Sequence, residues 1–459
     1  MTLTLPLVIA WFAAVGLVGF DGRKTWVGWL AVAALGASLA AAAALAVTVW
    51  QDGPRELTTG GWAPGVGITL RADALSVVFC LLTTGVLLVS LAYEVLAGIR
   101  SSRFPALVLF MAVGLTGLFL TGDIFNFYVF FEIAMISAYV ITGYGGEARQ
   151  LGAAFIFAVV NLLGSFLFLI AVAAIYHVTG TLEMAAVAAR IGDVEPSAVI
   201  LIAVTVFVAF GVKLGLFPFH FWLPVVYASV RPAIAAILSG ALANIGTYGI
   251  LRFGADLLPR ELELGTTALV VLGTVTIIYG ALQAMSRRTA SEVIAYSSIG
   301  QIGYVLIALA IGGPVGYAAA VLYALVNALN KALLFLATGL RGWLVGAAFF
   351  VGVISVAGIP PAAGFFGKVE VFRAAVAEES VTLVALIVLG GALSVVYLLQ
   401  IYQHDYWRPA ADVAREPNRL ALRLLTFGVA AVVIGLGVWP EPLLAASREA
   451  AAVLLERAP

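Results

Sequence analysis

Long apolar runs follow one another along most of the chain, and short polar or glycine-containing segments separate them. Because roughly 20 apolar residues cross a bilayer as a helix, each run is long enough to span a membrane. The runs lack the polar–apolar alternation typical of an outer-membrane strand, so a β-barrel is not expected. The pattern predicts fourteen transmembrane helices, numbered here as spans 1 to 14, at about residues 3–20, 26–50, 72–98, 104–121, 124–143, 151–175, 197–217, 231–254, 265–285, 291–311, 314–340, 343–372, 380–404 and 419–440.

The first run, MTLTLPLVIAWFAAVGLVGF, has no basic segment ahead of it and no small-residue cleavage site. We therefore interpret it as span 1 and not as a signal peptide that is removed. The composition agrees, because 63% of the residues are hydrophobic and only 10% are charged, whereas a soluble protein carries about 25% charged residues. We expect an all-α polytopic membrane protein with no domain of soluble size.

Several classes of chemistry find no support in the sequence. The net charge is zero, which gives no indication of a nucleic-acid partner, and Cys80 is the only cysteine, so no intrachain disulfide can form. His177, His220 and His404 are scattered without the spacing of metal ligands. There is no phosphate-binding loop, dinucleotide fingerprint or nucleophile motif. We predict no metal site and no cofactor in this chain.

Basic residues are distributed unevenly between two sets of loops. The loops after odd-numbered spans carry thirteen of them: Arg23, Lys24, Arg100, Arg103, Arg149, Arg231, Arg287, Arg288, Arg341, Arg408, Arg415, Arg419 and Arg423. The loops after even-numbered spans and the C-terminal tail carry eight: Arg55, Arg71, Arg190, Arg252, Arg260, Arg373, Arg448 and Arg457. Since cytoplasmic loops are enriched in lysine and arginine, we expect the odd loops in the cytoplasm and both termini on the outer face of the cell (inner) membrane.

Two spans contain helix-breaking residues. Span 7 runs into Pro218 and then Pro224, and span 12 contains the sequence GIPPAAGFFGK. Broken helices at membrane depth are tolerated where they are buried in protein or line a wet cavity, and paired breaks indicate a transporter built from inverted repeats. We therefore predict an N-terminal unit, two five-helix repeats with discontinuous helices 7 and 12, and a C-terminal unit that holds helix 14 and the tail. Their bounds are 1–103, 104–254 (spans 4–8), 265–404 (spans 9–13) and 405–459.

The four lysines are placed differently from the twenty arginines. The arginines sit at or near span ends, whereas Lys213, Lys331 and Lys368 fall inside apolar segments, as does Glu132. A charge at mid-membrane costs roughly 3 kcal/mol or more, so such residues are functional by default. Arginine keeps its proton in proteins, but lysine can release one when it is buried. We predict that these four residues carry protons; the structural alternative is a set of static ion pairs that hold helices together.

Uncharged polar residues accompany the lysines. His220 follows Lys213 across the Pro218 break, and Asn327 lies one helical turn before Lys331 and can hydrogen-bond to it. The remaining candidates are Asn161 and Ser165 on span 6, Gln301 on span 10 and Asn244 on span 8. Such residues more often join membrane helices than relay protons, and His220 can equally be an aromatic-like residue of the FPFHFWLP cluster.

Two further acids receive a structural interpretation. We expect Glu94, close to the end of span 3, to extend towards the membrane surface. We expect Asp123 to be a favourable acid at the N-terminus of span 5.

Six stretches resemble a known family. The chain is similar to the antiporter-like membrane subunits of Mrp-type Na⁺/H⁺ antiporters, respiratory complex I and membrane-bound hydrogenases, and residues 122–181 look most like the Mrp D subunit. The stretches, which lie in order within about residues 70–400, are GDIFNFYVFFEIAMISAYVITGYGG, VVNLLGSFLFLIAVAAIYHVTGTLEMA, VKLGLFPFHFWLP, AYSSIGQIGY, NKALLFLATG and AGIPPAAGFFGK.

The resemblance implies a horizontal proton relay at mid-membrane depth, formed by Glu132, Lys213, Lys331 and Lys368. Two positions depart from the family pattern. Many relatives carry a lysine where this chain has Asn244 and a histidine where it has Asn327. Either water and asparagine bridge the gap, or this member has a reduced pumping role.

Three functions follow from the resemblance. The first is a proton-translocating subunit of a multisubunit Na⁺/H⁺ antiporter, with other integral membrane subunits as partners. The second is a proton-pumping subunit of a complex I-like NADH–quinone oxidoreductase or a membrane-bound hydrogenase. The third is a scaffold subunit whose relay has lost titratable groups. In each case we expect a transporter-type subunit, with any enzymatic activity in other subunits.

Overall fold

The computed structural model, which describes residues 2–62, 67–407 and 419–455, contains a helix at the position of each predicted span. The chain is an all-α polytopic membrane protein, as predicted. The helices, in order from span 1 to span 14, are Leu5–Val18, Thr25–Asp52, Ala74–Ala97, Phe104–Phe119, Ile124–Thr142, Ala148–Thr179, Pro196–Leu214 with Trp222–Tyr227, Pro232–Leu257, Thr266–Met285, Ala290–Ile311, Gly313–Thr338, Trp343–Ala357 with Gly364–Ala377, Val381–Tyr402, and Arg419–Val438. Arg408, Arg415 and Arg457, which entered the charge count, lie outside the described residues.

Smaller elements connect the spans. An antiparallel hairpin of β1 (Arg55–Thr58) and β2 (Thr69–Ala72) joins spans 2 and 3, so span 3 begins at Ala74 and not at residue 72. Strand β2 hydrogen-bonds through its backbone to the segment between spans 4 and 5. Short helices occupy Met184–Arg190 and Pro259–Leu264. We call the end of the molecule that carries this hairpin the hairpin face.

A terminal helix, Glu441–Leu455, follows span 14 where the sequence interpretation had only a tail. It packs against spans 3 and 11, and it buries Leu444, Ala450 and Leu454 there. Its apolar residues recur at helical spacing, so periodicity alone could have found it.

The spans divide into a buried set and a lipid-facing set. Within their most apolar windows, spans 8, 10 and 11 are 94%, 89% and 89% buried, whereas spans 2, 6 and 9 are each 39% buried. A helix that is covered on all sides can place polar groups away from lipid, where they are least costly. The buried set therefore contains the positions at which an intramembrane site can form.

Span 7 breaks immediately after Lys213. Gly215 takes a left-handed conformation (φ 64°) that ends the first half, and the chain re-forms a helix from Trp222 to Tyr227. The predicted end at residue 217 was therefore too early. Breaking a helix in lipid frees backbone carbonyls that need donors. The Trp222 indole Nε1 donates to the Val212 carbonyl at 3.0 Å and meets part of that need.

Span 12 breaks in a comparable way. Gly358 (φ 79°) ends the first half, and the second half starts at Gly364. The freed amides find acceptors inside the protein: Gly364 donates to the Ser355 hydroxyl at 3.0 Å, and Ala363 donates to the Val433 carbonyl of span 14 at 3.1 Å. The two breaks that the prolines predicted are thus confirmed, and the division of the chain into repeats at the predicted boundaries stays a prediction.

Span 8 is wound unusually. Its helix contains two π-helical segments, Ile237–Leu242 and Ile250–Leu257, with Asn244 just after the first. Such segments are rare and occur frequently at functional sites. Propensity patterns carry little signal for them, and the sequence did not predict them.

Glu94 does not extend to the membrane surface as we expected. Its side chain is 1% exposed and forms an ion pair with Arg231 at the start of span 8. Asp123 does cap span 5, because its carboxylate accepts a hydrogen bond from the backbone N–H of Asn126 at 2.7 Å. The Glu94–Arg231 pair joins spans 3 and 8 at the end opposite the hairpin face.

We expect Ser355→Ala to destabilise the protein by about 1–3 kcal/mol, because a buried amide at the span 12 break loses its acceptor. Thermal unfolding of the detergent-purified protein measures the effect. Ser394→Ala is the matched control, since the buried Ser394 hydroxyl only donates to Gly391 within its own helix. Equal stability of the two variants would contradict the role given to Ser355.

Candidate functional site

Three lysine side chains lie in the interior of the helix bundle. Lys213, Lys331 and Lys368 are 6%, 1% and 7% exposed. Lys213 ends the first half of span 7, Lys331 lies within span 11, and Lys368 follows the break in span 12. Their positions relative to the breaks are those that the sequence predicted.

Lys213 is held by span 6. Its ammonium donates to the Asn161 backbone carbonyl at 2.7 Å and to the Ser165 hydroxyl at 3.0 Å, and it lies 4.3 Å from the centre of the Phe131 ring. It also occupies the last turn of its helix half, where the helix dipole favours a cation. Asn161 therefore contributes through its backbone carbonyl, which the prediction had not specified.

Glu132 interacts with Lys213 through space but does not touch it. The two side chains form no ion pair within 4.0 Å, and Glu132 Oε1 is buried without a hydrogen-bond partner among the described residues. The Glu132–Lys213 pair is therefore open in this structure, so static ion pairing does not hold these two residues together here. An open pair leaves the ammonium on its span 6 acceptors and leaves the carboxylate oxygen available.

Two small cavities lie beside Lys213 and Lys331. One, of about 10 Å³, is lined by Lys213, Asn161 and Trp222; the other, of about 20 Å³, is lined by Lys331, Asn244 and Asn327. Tyr227 and Ala243 line both, so these two residues belong to the walls of both cavities. A site of about 10–15 Å³ with polar partners has room for one water molecule.

The asparagines at the two positions of departure lie in the second cavity. Asn244 donates to the Gly240 carbonyl of its own helix at 2.8 Å, which orients its amide. Asn327 Oδ1 has no partner within the described protein, and the hydrogen bond expected between Asn327 and Lys331 is not formed. Ser298 and Thr247 add hydroxyl groups to the wall. The polar gap between two lysines is thus lined by uncharged donors and acceptors.

Hydroxyl groups continue from Lys331 towards Lys368. The Lys331 ammonium donates to the Ser297 hydroxyl at 3.1 Å, which lies 3.0 Å from the Tyr397 hydroxyl. Gln301 lies between two phenols, since its amide nitrogen approaches Tyr397 at 3.5 Å and its oxygen accepts from Tyr323.

The Tyr304 ring lies between Tyr323 and Lys368. The Tyr323 ring lies 5.1 Å from the Tyr304 ring, and the Lys368 ammonium lies 5.1 Å from the centre of the Tyr304 ring. Lys368 Nζ has no hydrogen-bond partner among the described side chains and backbone. The Tyr304 hydroxyl also has no hydrogen-bond partner among the described residues, so Tyr323 and Lys368 are joined by ring contacts and not by hydrogen bonds.

His220 lies apart from these groups. Its ring stacks on Phe217 and lies 4.4 Å from the Tyr279 ring of span 9. The structure thus brings Lys213, Lys331 and Lys368 together with Asn161, Ser165, Asn244, Asn327 and Gln301, and it places His220 in an aromatic cluster.

Sequence reasoning missed four tyrosines: Tyr227, Tyr304, Tyr323 and Tyr397. Tyrosine is common at membrane interfaces, and this preference hides the few that lie deep in a span. For Tyr304 and Tyr323 the available signal was a tyrosine far from the end of its apolar run, whereas Tyr227 ends its helix and Tyr397 lies near the end of its own.

Residues 121–343 and 340–394 match the model of a family described as NADH:quinone oxidoreductase/Mrp antiporter, transmembrane. The chain belongs to this family. It is 32% identical over 436 residues to the D subunit of the Na(+)/H(+) antiporter of Alkalihalophilus pseudofirmus, covering 90% of this chain and 88% of the relative. The family resemblance and the likeness to a D subunit are both confirmed.

Solved structures extend the comparison to the fold. A chain of the Mrp complex from Dietzia sp. DQ12-45-1b superposes with a TM-score of 0.92 at 29% identity, covering 99% of this chain and 97% of the other. A chain of respiratory complex I from Thermus thermophilus gives a TM-score of 0.77 at 26% identity, covering 97% and 99%.

Proposed function

We propose that this chain is a proton-translocating subunit of a multisubunit Na⁺/H⁺ antiporter. The observation that carries the proposal is that Lys213, Lys331 and Lys368 are all buried, with small polar-lined cavities beside the first two and hydroxyl and phenol side chains between the last two. The similarity to the A. pseudofirmus relative and to the Mrp complex chain supports the antiporter assignment. The chain is a transporter subunit, and it exchanges protons without a covalent step.

The lysines act as stations, each of which is charged when it holds a proton and neutral when it has released it. Lys213 passes its proton through the two cavities, where Tyr227, Asn244 and Asn327 hold the connecting water. Lys331 passes a proton to Ser297 and Tyr397, because a hydroxyl group can accept on its lone pair and donate its own hydrogen. Gln301 orients the phenols, and Lys368 is the last station.

Glu132 sets the state of the first station. When the carboxylate approaches Lys213, it favours the ammonium form; when the pair is open, burial favours release of the proton. In this structure the pair is open, and the ammonium is held by Asn161 and Ser165. Movement of Glu132 therefore couples events at the span 5 surface to proton release.

The chain works with other integral membrane subunits in the cell membrane, with both termini on the outer face. The large lipid-facing surfaces of spans 2, 6 and 9 offer contact area for such partners. The hairpin face is then the outer face, in agreement with the excess of basic residues in the odd loops.

The second candidate is a proton-pumping subunit of a complex I-like oxidoreductase or a membrane-bound hydrogenase. The superposition with the complex I chain favours it, because the same lysine series serves either assembly. A scaffold role is the third candidate, favoured by the loss of titratable groups at Asn244 and Asn327. Substitution of Lys213 distinguishes the scaffold from both transport roles.

Lys213→Arg tests the relay directly. It keeps a positive charge beside Asn161 and Ser165 but cannot release its proton at accessible pH, so we expect Na⁺-dependent proton exchange to be abolished while the complex still assembles. Exchange is measured as proton flux in membrane vesicles that contain this chain with its partner subunits. Lys24→Arg, at the only lysine outside the apolar segments, should leave exchange unchanged. Near-normal exchange in Lys213→Arg would favour the scaffold, and robust exchange by the chain alone would contradict the need for partners.

Asn244→Leu should block exchange, because leucine is of similar size and makes the second cavity too apolar to hold water. Asn244→Ser keeps the site polar and roomier, so it should retain most of the activity. The same vesicle assay compares the two variants at equal amounts of assembled complex. Full activity in Asn244→Leu would show that protons do not pass this point.

Tyr397→Phe should slow exchange several-fold, because it removes the hydroxyl that follows Ser297. Initial rates of exchange in vesicles measure the effect. Tyr402→Phe is the control: Tyr402 lies on the same helix and packs against Phe350, away from Ser297. If both variants behave like the unmodified complex, the hydroxyl series between Lys331 and Lys368 is not the route.

A further inference from the structure

A second line of polar side chains runs along span 8, away from the lysine series. Asn244, Tyr248, Arg252 and Asp256 follow one another at intervals of four residues, from the cavity that contains Lys331 to the hairpin face. All four are buried, with exposures of 4%, 1%, 3% and 2%. No step of the proposed relay uses the last three. The line runs from the central cavity to one end of span 8, with one step that holds no direct hydrogen bond, because Asn244 donates to Gly240 and Tyr248 to Phe119.

Arg252 occupies the middle of this line in a dense ion network. Its guanidinium donates to both carboxylate oxygens of Asp73 at 2.8 and 2.9 Å, to Asp256 at 3.0 Å, and to the Tyr248 hydroxyl at 3.1 and 3.0 Å. Ser76 adds a further acceptor at 3.2 Å. Asp73 is fully buried at the start of span 3. The network thus fixes the guanidinium between Tyr248 and Asp256.

The network reaches the hairpin face on its other side. Arg71 of strand β2 lies 3.4 Å from Asp73 and 3.7 Å from Glu56, whose side chain is 58% exposed. A cavity of about 10 Å³ lies between Arg252, Asp256 and these hairpin residues. Water at the hairpin face is therefore separated from the Arg252 guanidinium by very little protein.

Aromatic rings surround the side chain of Tyr248. Its ring lies 4.8 Å from the Phe119 ring and 5.4 Å from the Phe79 ring, and the Phe127 ring stacks on it at 6.3 Å. Such a collar leaves no polar surface for water. A proton that moves between the central cavity and the hairpin face by this route has to pass the Tyr248 hydroxyl and then Arg252.

We propose that Arg252 is an electrostatic plug that closes this connection, so that protons in the lysine series do not leak to the hairpin face. Tyrosine and aspartate side chains can take and give protons, but arginine stays charged. Its fixed positive charge also repels hydronium and metal cations, as arginine does in selective pores. The inference rests on the proposed function, since a plug is needed only where the centre of the protein carries protons.

The alternative is that Arg252 only ties span 3 to span 8. The chain offers an internal control for it, because Glu94 and Arg231 join the same two spans at their other ends. Both pairs combine a buried carboxylate with an arginine. Only the Arg252 pair stands in the line of polar residues that leads to Asn244.

The test compares two charge-neutral double variants in vesicles that contain the assembled complex. Asp73→Asn/Arg252→Gln removes the plug without leaving its main carboxylate partner unpaired, and Glu94→Gln/Arg231→Gln is the control. An imposed pH gradient is followed without added Na⁺ or K⁺. We expect the gradient to decay several-fold faster in the plug variant and at the unmodified rate in the control. Equal leak in both, or no added leak in an assembled plug variant, overturns the proposal.

Arg252→Lys provides a second measurement that does not depend on assembly of the double variant. The groups that face residue 252 directly are Asp73 and Ser76 of span 3, and Tyr248 and Asp256 of span 8. Arg71 of β2, Glu56 of β1 and Glu183, which precedes the Met184–Arg190 helix, line the adjoining cavity. A lysine there keeps the charge but can lose it as pH rises, so we expect leak that increases towards alkaline pH. A pH-independent leak equal to that of the unmodified complex contradicts the plug. Na⁺-dependent exchange, measured in the same vesicles, reports the proposed function separately.

Discussion

The free-energy cost of burying a charge away from water determines how the interior of this protein is arranged. Each buried ammonium has to be solvated by protein groups or by the few water molecules that the cavities hold. The number of protein acceptors falls along the series, from two at Lys213 to one at Lys331 to none described at Lys368. The last lysine therefore depends most on water or on a neighbouring subunit for its hydrogen bonds.

The helix breaks follow from the same constraint. A broken helix in lipid exposes amides and carbonyls, and these are satisfied here by Trp222, Ser355 and the backbone of span 14. Once satisfied, the breaks leave room beside Lys213 and Lys368 for polar partners. The hydrogen bonds that satisfy the broken backbone and the positions of the lysine side chains therefore depend on each other. A substitution at Ser355 affects both.

Lysine and arginine have separate tasks because their proton chemistry differs. In the proposed relay the lysines exchange protons, and the hydrogen-bond partners of Lys213 and Lys331 are uncharged groups that allow either state. The buried arginines Arg231 and Arg252 lie in carboxylate networks that hold spans 3 and 8 at both ends. Between these fixed ends span 8 winds through π-helical turns beside Asn244. The second π-helical segment, Ile250–Leu257, contains Arg252 itself, so the ion network holds an irregular part of the helix in place.

The sequence by itself determined the fourteen spans, the two breaks and the lysine positions, because hydropathy, proline and charge act locally and are severe in lipid. Only the tertiary structure decided what each polar group touches. In the folded protein Glu132 and Lys213 do not touch, His220 lies in an aromatic cluster, and Glu94 is buried against Arg231. Ser297 and Gln301 of span 10 meet Tyr397 of span 13. These contacts depend on which faces of distant helices meet. The local sequence around a tyrosine or serine in an apolar run does not identify the residue that it will contact.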